Sequence, residues 1–221
     1  MHHISNLMPV TMAPTDPRTA AGKTFPPSAR WRAKWLGLDE SAHPEVATLA
    51  LAAEQFAMRA IRNDPAGPRL LVLGGRPGTG KTHVAKAISR FFNALAVTAW
   101  SKGWWTSHEV PAAVLVEWMA IAESDPHKPG GLWDEAIGAN LLVVDDMGAE
   151  VDRYKSGLPV ANLARLLNAR ERRWNVITTN YPPESWEDHY DKRVADRLRR
   201  RAVLVEIKEA PSYWQSLARA A

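Results

Sequence analysis

The sequence predicts an α/β fold in which helices cover both faces of a parallel β-sheet. Short apolar runs alternate along the chain with longer segments whose apolar residues recur at three- and four-residue spacing. This alternation is typical of strands that are joined by crossover helices and buried on both faces. The second observation is a glycine-rich turn between the first such run and the helical segment after it. The third is the length of 221 residues, which suits one principal domain.

The composition excludes several classes of site. The chain has no cysteine, which removes disulfide frameworks, thiolate zinc sites and cysteine nucleophiles and favours a reducing compartment, by default the cytoplasm. No apolar run is long enough to span a bilayer, and the first residues lack a signal-peptide pattern, so no membrane partner is expected. The net charge of +4, concentrated in "NARERRW" and "DKRVADRLRRRA", fits a nucleic-acid partner and equally fits solvated helix faces.

Residues 1–42 are predicted to form a flexible arm, and residues 43–221 the folded domain. Prolines are frequent in the arm among Thr, Ser, Ala and Arg. One apolar cluster with basic neighbours interrupts it, formed by Trp31, Trp35, Leu36 and Leu38. This cluster is predicted either to dock on a partner or to pack on the chain's own domain. From Pro44 the apolar spacing predicts a helix that ends before "NDPAGP".

The elements of the domain follow in order along the chain. "RLLVLGG" is predicted to be a strand and "GKTHVAKAISRFF" a helix, and the next strand is expected in "ALAVTAW" or in "WWTSHEV". "PAAVLVEWMAIAES" and the short "LWDEAIG" are interpreted as helices, separated by the loop "DPHKPGG". The buried strand "NLLVVDD" comes next, followed by a helix over "PVANLARLLNARER" and the strand "WNVITTN". A helix around "KRVADRLRR" and the strand "AVLVEIK" complete the pattern.

The turn after the first strand has the residues of a phosphate-binding loop. Residues 75–82 match G-x-x-x-x-G-K-[ST], the Walker A pattern, between a strand and a helix as the mechanism requires. Glycines let backbone N–H groups turn toward phosphate oxygens, and the helix N-terminus adds its positive end. Lys81 is expected to reach the β- and γ-phosphates and the Thr82 hydroxyl to hold Mg²⁺. The predicted ATP-binding residues are Gly75, Pro77, Gly78, Thr79, Gly80, Lys81, Thr82 and His83.

Two further strand ends complete the predicted site. "NLLVVDD" ends in Asp145 and Asp146 at the carboxyl end of a buried strand, the edge at which open α/β sheets bind ligands. Asp145 is predicted to contact Mg²⁺ in the Walker B role, and Asp146 to orient or deprotonate the attacking water, with Glu150 as the second candidate. "NVITTN" ends in Asn180, whose side chain could contact the γ-phosphate or the attacking water.

Four blocks of the sequence resemble one group of ATPases. They are "GRPGTGKTHVAKAI", "LLVVDDMGAE", "LLNARERRWNVITTNYPPESW" and "DKRVADRLRRRAVLVEIKEAPSYW". In this order they are similar to the DnaC-type replicative helicase loaders and the IstB-type transposition ATPases, in the initiator clade of the AAA+ superfamily. The resemblance covers residues 44–214 and implies an AAA+ P-loop NTPase domain without a C-terminal lid domain.

The resemblance also assigns roles to residues. Asn180 corresponds to the sensor I residue. "KRVADRLRR" corresponds to the box VII segment, whose arginine reaches the γ-phosphate of a neighbouring subunit in a ring or spiral that assembles on ATP binding. Arg197 is the expected finger, and Arg193 is the alternate.

The implied function is that of an ATP-dependent helicase loader, which binds ATP-Mg²⁺ and single-stranded DNA and delivers a replicative helicase during DNA replication. The alternative is an IstB-type transposition helper that binds duplex DNA and a transposase. A P-loop kinase and an adaptor without turnover fit the four blocks less well. Two groups of side chains are candidates for DNA contact. They are the tryptophans Trp100, Trp104 and Trp105 and the arginines Arg165, Arg170, Arg172 and Arg173.

Overall fold

The computed structural model describes residues 35–61, 64, 66–101, 113–148 and 158–212, with the backbone alone for residues 95–101. In this part of the chain the strands are β1 (Leu70–Gly75), β2 (Ala113–Glu117), β3 (Leu141–Met147), β4 (Trp174–Thr179) and β5 (Ala202–Ile207). The helices before β3 are α1 (Pro44–Ile61), α2 (Lys81–Ser101), α3 (Trp118–Ala122) and α4 (Leu132–Gly138). Those after it are α5 (Leu158–Ala169), α6 (Trp186–His189) and α7 (Lys192–Arg200), with a 3-10 turn at Pro183–Ser185.

The strands form one parallel sheet in the order β2-β3-β4-β1-β5. Strand β1 lies between β4 and β5, and Leu70 pairs with Asn175 on one side and Ala202 on the other. All residues of β1 and β4 are buried, as expected for strands covered on both faces. The predicted α/β class with a parallel sheet is confirmed.

Two apolar cores lie on the two faces of the sheet. Alternate strand residues face opposite sides, so Leu71 and Leu73 pack with α1 and α2, while Leu70 and Val72 pack with the other helices. The second core also holds three fully buried tryptophans, Trp118, Trp133 and Trp186. In the described residues, no helix combines the length and the apolar character needed to cross a bilayer.

Residues 35–38 pack on the domain. Leu36 is fully buried, Leu38 is 9% exposed, and the ring of Trp35 lies 4.9 Å from that of Phe91. For these residues the structure matches the alternative in which the cluster packs on the chain's own domain. The boundary between residues 42 and 43 stays a prediction. Residues 1–34 of the predicted flexible arm, Trp31 included, lie outside the described residues.

Two predictions around the second strand are wrong. "ALAVTAW", a candidate strand, continues helix α2, because its alanines have high helix propensity. "PAAVLVEWMAIAES", interpreted as a helix, contains strand β2 at Ala113–Glu117 followed by helix α3. β-Branched residues and pairing with Leu141–Asp145 of β3 favour the strand, so tertiary context decides its conformation. The other candidate strand, "WWTSHEV", lies outside the described residues.

Arg170 is a structural residue. Its side chain is 1% exposed and donates hydrogen bonds to the carbonyl oxygens of Ala136 at 2.6 Å, Ala139 at 2.9 Å and Trp174 at 2.8 Å. Its Nε also donates to Asn175 Oδ1 at 2.6 Å. Burial, together with the charge of Arg173, lowers the pKa of Arg170 to about 9. The expectation that Arg170 contacts DNA is wrong, because the guanidinium is used inside the fold.

Candidate nucleotide site

A cleft of about 670 Å³ lies at the carboxyl edge of the sheet, where β1, β3 and β4 end. It gathers most of the predicted site residues: Pro77, Gly78, Gly80, Lys81, Thr82, His83, Asp145, Asp146 and Asn180. The remaining predicted loop residues, Gly75 and Thr79, lie beside the cleft and shape the loop. Thr79 Oγ1 donates to the Arg76 carbonyl at 2.9 Å. The topology therefore brings together Pro77 and Asn180, which are 103 positions apart in the sequence.

Two glycines are required by the shape of the loop. Gly75 has a φ of +127°, and a Cβ there would collide with the carbonyl of Ile207 in the neighbouring strand β5. Gly78 has a φ of +80°, and a Cβ there would lie 2.5 Å from Ser212 Oγ. At Gly75 both the backbone conformation and the neighbouring backbone exclude a side chain, and at Gly78 the positive φ disfavours one. The loop therefore follows β1 closely and keeps its backbone open to the cleft.

Lys81 is held by the loop itself. Its Nζ donates to the carbonyl oxygens of Gly75 at 2.8 Å and Arg76 at 2.7 Å, and the residue is 6% exposed. Burial lowers the pKa of Lys81 to about 8, and the nearby charges of Asp146 and Asp145 oppose that shift. The ammonium thus lies at the cleft with a pKa close to neutral pH. An anion that enters the cleft favours its charged form.

Asp145 joins the phosphate loop to strand β4. Its Oδ1 accepts hydrogen bonds from Thr82 Oγ1 at 2.9 Å and Thr178 Oγ1 at 2.7 Å, and Lys86 Nζ lies 3.8 Å from Oδ2. A carboxylate and a hydroxyl at one point of the cleft are the hard oxygen donors that Mg²⁺ prefers. The described residues hold no group of three or more acidic or histidine side chains suited to a metal. The pair therefore fits an ion that completes its coordination with phosphate oxygens and water.

Asp146 is turned into the cleft by an irregular strand end. Its φ is +59°, and the pairing of β3 with β4 shifts register between Val144 and Met147. The Thr178 hydroxyl accepts a bond from the backbone N–H of Asp146 at 2.7 Å. Asn180 Nδ2 donates to Asp146 Oδ1 at 2.8 Å. Thr178 thus fixes the backbone of Asp146, and Asn180 orients its exposed carboxylate.

His83 and the N-terminal segment form one wall of the cleft. His83 Nε2 lies 2.5 Å from the carbonyl oxygen of Leu36, and Gly37 and Leu38 line the cleft beside it. His83 was predicted to contact nucleotide. In the structure it lines the cleft and also holds the segment that precedes α1.

Several residues that line the cleft were not predicted as site residues, among them Glu117, Trp118 and Lys86. Glu117 and Trp118 line it, because Glu117 ends β2 in register with Asp145 and shares its edge of the sheet. They were missed when the segment was interpreted as a helix. Lys86 was also missed, although its position one helical turn after Thr82 was a readable signal.

Other predicted residues lie elsewhere. Arg193 is exposed and Arg197 is half-buried on α7, and neither lines the nucleotide cleft. Arg197 lies near Leu70 and Arg201, where the strands begin. The finger role of these two arginines stays a prediction. Glu150, Trp104, Trp105 and the side chain of Trp100 lie outside the described residues.

Comparison with solved structures supports the fold. The DnaC helicase loader matches with a TM-score of 0.55 at 19% identity, covering 75% of this chain and 92% of that one. DnaI matches with a TM-score of 0.54 at 21% identity, covering 79% and 93%. AMPPCP-bound DnaA from Aquifex aeolicus matches with a TM-score of 0.52 at 17% identity over 76% of this chain, which spans 50% of that protein. These likenesses show the predicted AAA+ P-loop NTPase fold.

Membership of a family rests on the sequence. None of the curated proteins matches the chain significantly. The family described as "IstB-like ATP binding protein" matches residues 66–219, which include the phosphate loop, both aspartates and Asn180. The predicted resemblance is thus confirmed, and the chain belongs to the IstB-like ATP binding protein family.

Proposed function

We propose that this chain is an ATP-dependent helicase loader of the DnaC type. It binds ATP-Mg²⁺ and single-stranded DNA in the cytoplasm, hydrolyses ATP and delivers a replicative helicase during DNA replication. The observation that carries the proposal is the linked set of hydrogen bonds from Thr82 through Asp145 and Thr178 to Asp146 and Asn180. The fold shared with the DnaC helicase loader supports helicase loading as the process.

The residues of the cleft divide the work of hydrolysis. The loop N–H groups and Lys81 bind the phosphates, and Thr82 and Asp145 hold Mg²⁺. Bound there, the ion would supply positive charge that stabilises the reacting phosphate groups. Asp146 orients the attacking water and accepts its proton, while Asn180 fixes the carboxylate that does so.

The same contacts make the site a switch. The Lys81 ammonium bonds the Gly75 and Arg76 carbonyls at the cleft, within the loop that binds the phosphates of ATP. Asn180 detects the γ-phosphate through its bond to Asp146. Arg197, with Arg193 as the alternate, supplies a guanidinium to the neighbouring subunit, so that turnover depends on assembly into a ring or spiral.

Hydrolysis of ATP by the purified protein tests the proposal. Turnover is measured alone, with single-stranded DNA and with duplex DNA, each at several salt concentrations. We expect single-stranded DNA to stimulate turnover and its binding to weaken with salt. Lys81→Ala is the control and should lose ATP binding. A preference for duplex DNA would instead support the transposition helper, and turnover indifferent to DNA would refute both functions.

Addition of a hexameric replicative helicase tests the second half of the proposal. The loader should bind it in the presence of ATP and release it after hydrolysis. A transposase bound in its place would identify the alternative.

A further inference from the structure

Arginines stand directly before three strands of the sheet. They are Arg69 before β1, Arg172 and Arg173 before β4, and Arg200 and Arg201 before β5. These residues are far apart in the sequence. Strands β4, β1 and β5 are adjacent and parallel, so their amino ends lie at the same edge of the sheet. The topology therefore concentrates positive charge at the edge opposite the nucleotide cleft.

These side chains surround a second cleft of about 510 Å³. Four arginines line it together with Glu171, Gly67 and Pro68, and we name Arg69, Arg172, Arg200 and Arg201 the arginine cleft. The arginines stand at the starts of three adjacent strands and so span two interstrand distances, which gives a row roughly 10 Å long. That length corresponds to about three nucleotides of one strand at roughly 3.4 Å each.

The acids nearby leave much of this charge available. Glu171 pairs with Arg201, and Asp196 Oδ1 lies 2.6 Å from Arg200 Nε. Both pairs are open to solvent, with the arginine side chains 63% and 77% exposed, so each contributes little and gives way to a stronger ligand. In the part of the chain that the structure describes, no acid pairs with the Arg172 side chain.

Contacts within the fold hold Arg69 in position in the cleft. The guanidinium of Arg69 lies 5.3 Å from the centre of the Trp174 ring and donates to the backbone carbonyl of Arg172. Arg59, 7% exposed, lies 5.7 Å from the same ring. Burial lowers the pKa of Arg59, Asp64 raises it, and the charge of Arg69 lowers it further. Positive groups are thus crowded here by the fold itself.

We propose that the arginine cleft binds the phosphodiester backbone of a nucleic acid. Guanidinium groups match phosphate geometry and bind it through paired N–H donors. The Trp174 ring is 6% exposed beneath the two arginines, so bases cannot stack on it. The contact is therefore with phosphates and independent of base sequence. The choice of nucleic acid rests on the proposed function, whereas the cationic cleft does not.

The test compares two double variants with equal loss of charge. Arg172→Gln/Arg200→Gln removes two exposed side chains of the arginine cleft, and Arg90→Gln/Lys128→Gln removes two exposed cations elsewhere on the domain. Binding of labelled single-stranded and duplex DNA is measured at several salt concentrations. ATP binding, and ATP turnover at several protein concentrations, are measured in parallel. All variants should bind ATP as the wild type does, because the substituted side chains lie away from the nucleotide cleft.

We expect the arginine-cleft variant to bind DNA about tenfold more weakly at low salt, with the control variant unchanged. The salt dependence should also become shallower, by about 0.7 per arginine for a single strand or about 0.9 for a duplex. Comparison of the two DNA forms shows which one occupies the cleft.

Three results would overturn the inference. Equal DNA binding by both variants, or equal loss, would mean that the cleft has no special role. Intact DNA binding with loss of concentration-dependent ATP turnover would mean that the cleft receives the nucleotide of a neighbouring subunit. A wild-type protein that binds ATP but no nucleic acid would remove both this inference and the DNA part of the proposed function. If the wild-type protein did not bind ATP, the proposed ATPase function would be refuted and the inference about the arginine cleft would stand.

Discussion

The two edges of one sheet carry opposite kinds of site. At the carboxyl edge, Asp145 is 4% exposed and shares one oxygen between two hydroxyl groups, and Lys81 is almost as deeply buried. At the amino edge, Arg200 and Arg201 are mostly exposed and make ion pairs at the surface. One site is a closed network of hydrogen bonds, and the other is a row of charges at the strand starts.

The difference shows how position in a parallel sheet selects chemistry. Loops that leave the carboxyl ends supply glycine turns and a helix N-terminus, which together position small groups with precision. The amino ends follow a helix end or a turn, and the arginines at these positions lie side by side. Precise geometry suits the hydrolysis of one bond, and accumulated charge suits a long polyanion.

The largest expected effect comes from a residue near the amino edge. Arg197→Ala should lower assembly-dependent ATP turnover by about 1000-fold, because a guanidinium in trans stabilises charge on the transferred phosphoryl group. Nucleotide binding by the monomer should be unchanged. Turnover at low and high protein concentration measures the effect.

Arg193→Ala is the matched comparison for that variant. If turnover survives in Arg197→Ala and is lost in Arg193→Ala, the assignment of the finger is reversed. If both variants turn over normally, the amino edge takes no part in hydrolysis, and the two edges are functionally separate.

A smaller effect is expected at the centre of the nucleotide cleft. Asp146→Asn should lower kcat about 100-fold and leave ATP affinity nearly unchanged, since an amide cannot accept the proton of the attacking water. Single-turnover hydrolysis separates that step from binding. Glu150→Gln is the control, and a larger loss in this variant would make Glu150 the residue that governs hydrolysis.

ATP affinity should depend on pH through Lys81, whose pKa burial lowers to about 8. Only the charged ammonium pairs with phosphate, so affinity should be constant well below pH 8 and fall up to about tenfold per pH unit above it. Titrations between pH 6.5 and pH 9.5, roughly centred on that pKa, measure the change. Lys81→Arg, which stays charged, should remove the dependence, and a flat wild-type profile would contradict the assignment.

The smallest effect concerns stability. Thr178→Val keeps the volume of the side chain but removes its bonds to Asp145 and to the N–H of Asp146. We expect a loss of about 1–3 kcal/mol in the free energy of unfolding, since Thr178 is 1% exposed. Denaturant titration gives this value. Thr48→Val, at an exposed hydroxyl on α1, is the control and should change stability little.

The carboxyl edge could be predicted from the sequence because its chemistry is local. A glycine-rich turn followed by Lys81 and Thr82 is typical of phosphate binding at the carboxyl end of a strand. Aspartates directly after a buried strand indicate the same carboxyl edge of the sheet. Glu117 was not predicted as a site residue, because β2 is short and directly precedes an apolar helix. The spacing of apolar residues alone therefore favoured a helix over the whole segment. Its assignment as a strand depends on pairing with β3, which is a property of the whole sheet.

The amino edge could not be predicted in the same way. "RRWN" and "RRRAV" read equally well as solvated helix ends, and Arg69 stands alone in the sequence. Only the strand order brings these three places together. Arg170, one residue of the same basic run, is buried because it bonds backbone carbonyls at the end of α4 and in β4 and the side chain of Asn175, and no spacing rule predicts these contacts.

That buried guanidinium has a mechanical consequence. Arg170 directly precedes the exposed turn at 171–173 and ties it to the end of α4 and the start of β4. A force applied to that turn, such as tension along a bound polymer, is therefore transmitted to the sheet through the hydrogen bonds of Arg170. The domain therefore has a hydrogen-bonded anchor beside the arginine cleft, to which Arg173 and Asn175 also contribute through bonds to Gly138 and to the turn itself.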